Sequence, residues 1–157
     1  MVAESIQALQ DRRTRKTLNE GVNSATYMGK RLIIDLKDAK TGVLHGGQGI
    51  FRILIDKKTT GANNFSMLVN TSKAGARGSE HRHDVEHGFY ILSGTGTIYL
   101  DGEPKKISPR EAVFVPAGAL HRIDVDLGAD LDYVVIYAPP GPEEELDQRG
   151  EHAFEVY

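Results

Sequence analysis

Six histidines occur in the chain. Three of them fall in one stretch, Gly75-Ala-Arg-Gly-Ser-Glu-His81-Arg-His83-Asp-Val-Glu-His87-Gly-Phe-Tyr-Ile-Leu-Ser-Gly94. His81 and His83 are two residues apart, a spacing that puts both side chains on one face of a β-strand. His87 keeps the same parity four residues later, and His121 offers a fourth imidazole further along. A neutral imidazole is a good ligand for zinc, copper, iron or nickel. One lone histidine would be read as a solvated residue. Three converging from one segment, followed at once by a strand-like run, point to a metal site. No Ser-His-Asp or Cys-His arrangement stands out, so nucleophilic catalysis has little support and the chemistry belongs to the metal.

The elements that must position these residues read as short strands. Leu32, Ile34 and Leu36 alternate with Arg31, Ile33 and Asp35, and Phe51, Ile53 and Ile55 alternate with Arg52, Leu54 and Asp56. Phe65, Met67 and Val69 make another period-2 set, and further strands are expected over 89–92, 97–100, 112–115, 121–125 and 131–138. Between the first two sets, the glycine-rich stretch 41–49 reads as a flexible turn. It lacks the spacing and the Gly-Lys-Ser/Thr ending of a phosphate loop, and its His45 is expected to be exposed. Asp101-Gly102 signals a hairpin turn and Pro116-Ala-Gly118 a tight one. Many short strands with turn residues between them argue for an all-β sandwich or barrel. Pro139-Pro-Gly-Pro-Glu-Glu-Glu145 stops the sheet. The expected organisation is an N-terminal arm or short helix over 1–25, a barrel over 26–140 and an acidic tail over 141–157. The basic run from Asp11 to Lys16 reads as part of a solvated arm.

Composition narrows the class. With 39% hydrophobic and 26% charged residues, the 157-residue chain suits one soluble globular domain. Its net charge of −3 suggests neither nucleic acid nor an anionic membrane as a partner. There is no cysteine, so no thiolate ligand; a metal would be held by histidine, carboxylate or water. The same absence fits the cytoplasm. No apolar run reaches the ~18 residues of a membrane span, and no apolar core of signal-peptide type opens the chain.

The histidine stretch resembles the first conserved motif of the cupin superfamily, G-x5-H-x-H-x3/4-E-x6-G. Gly75, His81, His83 and Gly94 fall on it in register, and His87 stands at the glutamate position. The second motif, G-x5-P-x-G-x2-H-x3-N, resembles Pro116-Ala-Gly118-Ala-Leu-His121; Arg110 stands in place of its opening glycine and Val125 in place of its closing asparagine. The resemblance implies a cupin-type double-stranded β-helix, a jelly-roll barrel. It also implies one metal bound inside the barrel by His81, His83, His87 and His121. In cupins such an ion is manganese, iron, nickel, copper or zinc. Four neutral imidazoles leave a divalent ion at full charge, a stronger Lewis acid for an anionic or chelating substrate than one with a carboxylate ligand. Glu86 is the rival third ligand, or a group orienting an imidazole, or an exposed turn carboxylate.

If His87 points inward, so should Phe89 and Ile91, and Ile123 should follow His121. An inward Phe51, Ile53 or Phe65 would make the pocket apolar. Polar candidates for gripping a substrate or donating a proton are Tyr90 and Arg52, with Glu86, and beyond them Arg77, Arg82, Tyr99 and Tyr133. The reading that follows is a metal-dependent cupin enzyme, an oxygen-dependent dioxygenase of a small enolisable or phenolic substrate. The alternatives are a non-redox lyase, decarboxylase, cyclase or isomerase, and a non-catalytic ligand-binding cupin. Cupins commonly pair through their sheets, so a homodimer is expected.

Overall fold

The computed structural model describes residues 26–149; the arm over 1–25, with its basic run, and the end of the tail lie outside them. A two-stranded hairpin, β1 (Thr26–Tyr27) and β2 (Lys30–Arg31), comes first. Nine further strands follow: β3 (Lys40–Leu44), β4 (Gly49–Ile55), β5 (Ser66–Ser72), β6 (Glu86–Ser93), β7 (Gly96–Leu100), β8 (Glu103–Ile107), β9 (Ala112–Val115), β10 (His121–Val125) and β11 (Leu131–Ala138). A helix, α1 (Pro142–Arg149), ends the described chain. Six strands form one antiparallel sheet in the order β3-β4-β5-β11-β6-β9, and three form a second in the order β10-β7-β8. Their inner faces share one core, with Phe51, Ile53, Leu68, Ile91 and Val135 from the large sheet meeting Ile98, Ile107 and Val125 from the small one. This is the double-sheet barrel expected of a cupin. Among the described residues, no helix is long and apolar enough to cross a membrane.

Alternation explains the strands. β11 buries Leu131, Tyr133, Val135 and Tyr137 and turns the residues between them outward. At the β7–β8 hairpin, Asp101 and Gly102 both take positive φ (47° and 86°), the primed geometry that suits strand twist.

Four expectations are corrected. The alternating residues 31–36 do not form a strand. Only Arg31 is paired, Leu32 and Ile33 are exposed, and Asp35 instead caps a 3-10 turn over Leu36–Asp38 by accepting the Lys37 N–H at 3.1 Å. The glycine-rich stretch is not merely a turn: Lys40–Leu44 is β3, paired to β4 throughout. Gly42 is there because a Cβ would overlap the Phe51 ring. In β5 the inward set is Ser66, Leu68, Asn70 and Ser72, so Phe65 is exposed and Met67 and Val69 face out. Finally, 142–149 is a docked helix. Glu143, only 1% exposed, accepts hydrogen bonds from Ser66 Oγ (2.7 Å) and the Gly141 N–H (2.8 Å), and Leu146 packs on the core.

Candidate metal centre

Each histidine of the two motifs is held by backbone structure. His87 lies in β6 between Val115 of β9 and Tyr137 of β11. His121 opens β10. His81 lies outside the regular strands, between β5 and β6, yet exchanges backbone hydrogen bonds with His121 in both directions, at 3.0 and 2.8 Å. The His83 carbonyl accepts the Gly118 N–H at 2.7 Å. Gly118 reaches it with φ at 80°, which is why the turn before His121 needs a glycine. The two motifs are thus tied to each other through the backbone before any side chain is considered.

The side chains converge. His81, His83 and His121 offer ring nitrogens within 4.8 Å of one another. The His87 ring sits 4.5 Å from that of His121 and 5.3 Å from that of His83, centre to centre. Backbone carbonyls orient two rings: His81 Nδ1 lies 2.8 Å from Ser79 O, and His121 Nδ1 lies 2.9 Å from Ala119 O. A carbonyl can only accept, so Nδ1 carries the proton and Nε2 keeps its lone pair for a ligand.

Burial and the neighbouring imidazoles favour the neutral form of His83, His87 and His121. Burial first, then His81 and His121, lowers the His83 pKa to about 4. Burial first, then His121 and His83, lowers that of His87 to about 3. Burial likewise lowers His121. Both ring nitrogens of His87, and Nε2 of His121, are buried without a hydrogen-bond partner. Buried polar atoms are nearly always satisfied. The converging ring nitrogens of His81, His83 and His121 fit a divalent transition ion, while His87 lies beside them by ring distance but outside that 4.8 Å set.

His81, His83 and His121 open on a cavity of about 940 Å³, whose lining does not include His87. Leu44, Phe89, Ile123 and Leu146 supply apolar wall, and His45, Asn70, Arg82, Arg122, Tyr133 and Tyr137 supply polar groups. The expected inward set of His87, Phe89 and Ile91 is buried, as are Phe51 and Ile53, and Ile123 lines the cavity. Arg82 and Tyr133 reach the cavity too. Three favoured candidates do not. Tyr90 is 45% exposed on the outer face of β6, because its parity opposes His87. Arg52 lies on the outer face of β4 and donates to Thr71 Oγ1 at 3.2 Å. Glu86 is exposed beside His87 and lines no part of the cavity. Arg77 is exposed, and Tyr99 lies under the Arg122 guanidinium, 3.9 Å from it.

His45 and Asn70 are cavity residues that sequence reasoning misses. His45 is half-buried rather than exposed. It takes a left-handed φ of 48° at the β3–β4 turn and accepts the Ser79 N–H on Nδ1 at 3.4 Å. Burial, then His81, lowers its pKa. The signal for Asn70 was present, as polar residues of one parity through β5, and was read in the opposite register.

Comparison with known proteins agrees with this geometry. Residues 68–137, which hold all four converging histidines, match the family model described as a cupin domain. A 64-residue segment is 34% identical to an uncharacterized protein of Aquifex aeolicus (strain VF5), over 41% of this chain and 50% of that protein. The match thus spans half the length of that relative. Among solved structures, the polyketide cyclase RemF from Streptomyces resistomycificus superposes with a TM-score of 0.61 at 24% identity, over 69% of this chain and 80% of that one. An RmlC-like cupin from Shewanella frigidimarina gives 0.62 at 15% identity, over 72% and 95%. By its double sheet, its two motifs and the family match across them, the stretch 68–137 is a cupin domain.

Proposed function

We propose that His81, His83, His87 and His121 together hold one divalent transition metal (manganese, iron, nickel, copper or zinc), and that the chain is a cupin enzyme acting on a small anionic or chelating molecule. The favoured activity is oxygen-dependent cleavage of an enolisable or phenolic substrate. One observation carries the reading: ring nitrogens of His81, His83 and His121 lie within 4.8 Å of one another at the wall of an open cavity, with His121 Nε2 buried without a partner. When bound, the ion supplies a Lewis acid and, if redox-active, a route for electrons to dioxygen. The chain supplies the rest. Arg82 places a positive charge among the cavity residues for an anionic ligand, and Phe89, Ile123 and Leu146 keep water from the reacting end. In this reading two copies pair through the outer face of the large sheet.

A non-redox reading, as a cyclase or lyase, draws on His45. With Nδ1 accepting from Ser79, a neutral His45 carries its proton on Nε2, a donor within the cavity that oxygen chemistry does not require. The fold likeness to a polyketide cyclase points the same way. Elemental analysis of purified protein, followed by turnover assays on enolisable and phenolic substrates with and without dioxygen, tests both. Near-stoichiometric metal, lost in His81→Ala and His87→Ala, with activity only in air, is the expected outcome. Activity that persists without oxygen and falls in His45→Ala at full metal content selects the non-redox reading. Protein that takes up no metal even on reconstitution overturns both.

A further inference from the structure

The cavity has a second polar end, away from the histidines. On the inner face of β5, Asn70 stands in register between Phe51 of β4 and Tyr133 of β11. It is 5% exposed, lines the cavity, and its Oδ1 has no hydrogen-bond partner. Tyr133 is buried beside it, its hydroxyl 3.4 Å from Ser72 Oγ. A barrel wall needs only shape from its inward residues, and an unpaired amide oxygen there costs stability that an apolar side chain would not. The path from the metal ligands to this pair is aromatic: the His87 and Phe89 rings are 5.0 Å apart and those of Phe89 and Tyr133 5.6 Å. Phe89, which lines the cavity, is thus in ring contact with both His87 and Tyr133.

We propose that Asn70, with Tyr133 beside it, determines substrate specificity by accepting a hydrogen bond from a hydroxyl at the end of the substrate remote from the histidines. The substrate class is an elongated aromatic molecule, chelating at one end and hydroxylated at the other. This rests on the metal-site reading above, but it makes a separable demand: the remote hydroxyl must matter.

Two probes separate the claims. 3-Hydroxyflavone has a chelating end and an apolar far ring; 3,4′-dihydroxyflavone adds a hydroxyl on that ring. Their affinities are measured by calorimetry on the full chain, zinc-loaded and chelator-stripped, for wild type, Asn70→Ala, Asn70→Leu and Asn70→Asp. Asn70→Leu keeps the same number of side-chain heavy atoms and so leaves no void, which guards against loss of fold. The expected result is binding of the dihydroxy probe about tenfold tighter in wild type, the gain typical of one hydrogen bond. That preference disappears in Asn70→Ala and Asn70→Leu, survives in Asn70→Asp, and zinc stoichiometry is unchanged throughout. Equal affinities in wild type, a preference that survives in Asn70→Ala and Asn70→Leu, or failure of both probes to bind overturns the proposal. Zinc reports on the other reading. If zinc tightens both probes equally and the hydroxyl adds nothing, Asn70 falls and the histidine site stands. If the hydroxyl preference appears without any zinc dependence, the reverse holds.

Discussion

A protonated imidazole cannot bind a metal, so a site of this kind works only if its histidines stay neutral. Burial and mutual repulsion do this for His83 and His87, whose pKa values are lowered to about 4 and about 3. Linkage gives the consequence for the metal-stripped protein. In the unfolded chain these histidines titrate near 6.5; in the folded chain they titrate well below. Between those values the unfolded state binds more protons, so stability rises with pH and is lost as pH falls from about 7 through the unfolded value toward 4. A melting series on chelator-treated protein from pH 7.5 to 4.5 should show a steady fall in Tm, and a flat series would refute the buried neutral state. The unpaired nitrogens of His87 sharpen this. Replacing an unsatisfied buried polar group by an apolar one of similar size is neutral or stabilising. His87→Leu should therefore melt no lower than wild type without metal at pH 6, flatten the pH dependence, and lower metal affinity by 10-fold or more. A variant that loses stability without metal would mean the imidazole is serving the fold. Residues at this scale are legible in the sequence when a motif names them, as with the four histidines. His45 and Asn70 belong to no motif, and only tertiary placement brings them to the cavity.

At the level of elements, legibility followed the pattern of burial. β6, β9, β10 and β11 can be read because one face is buried and the other is not, and the histidine parity follows from β6. β3 is hidden because its glycine, demanded by the Phe51 ring, looks like turn punctuation. Residues 31–36 mislead in the opposite way: they alternate, but pair with no neighbouring strand beyond Arg31. The helix α1 is hidden by composition, since its acidic first turn reads as a solvated tail until Glu143 is seen docked on Ser66. Arg110 shows a motif residue replaced while its backbone role persists. It stands where the second cupin motif has glycine and takes φ of 72°, its N–H donating to the Ile91 carbonyl at 2.9 Å. A non-glycine residue in that conformation costs roughly 1–2 kcal/mol, partly offset by the greater freedom glycine has when unfolded. Arg110→Gly should therefore raise unfolding free energy by about 0.5–1 kcal/mol in urea titrations at unchanged m. A decrease would mean that the arginine side chain contributes more than its backbone costs.

For the whole molecule, the large sheet has two faces and only one is covered by the barrel. Its outer face is apolar over a continuous area. Phe114 of β9 is 60% exposed. Its register partner Gly88 leads to Ile136 and then Met67, while Tyr90 leads to Val134 and Val69 on the next row. Gly88 has no side chain, so the Phe114 and Ile136 side chains flank an open groove. Among the described residues nothing covers this face, and an exposed apolar face suits a protein contact; the proposed dimer would place a second copy on it. The same parity that buries His87, Phe89 and Ile91 inside the barrel sends Tyr90 and Leu92 to this face. Tyr90 therefore stands on this outer face and not among the cavity residues. Light scattering at micromolar concentration should give twice the chain mass. Phe114→Asp places a charge on the β9 edge of the face without touching the core or the histidines. It should yield a monomer with full metal stoichiometry and a Kd for self-association raised by at least 100-fold, since burying an unpaired carboxylate costs several kcal/mol. A wild-type monomer, or a dimer indifferent to the substitution, would remove the face from the assembly. A monomer that also lost its metal would show that pairing through β9 and β6 is what holds His87 in place.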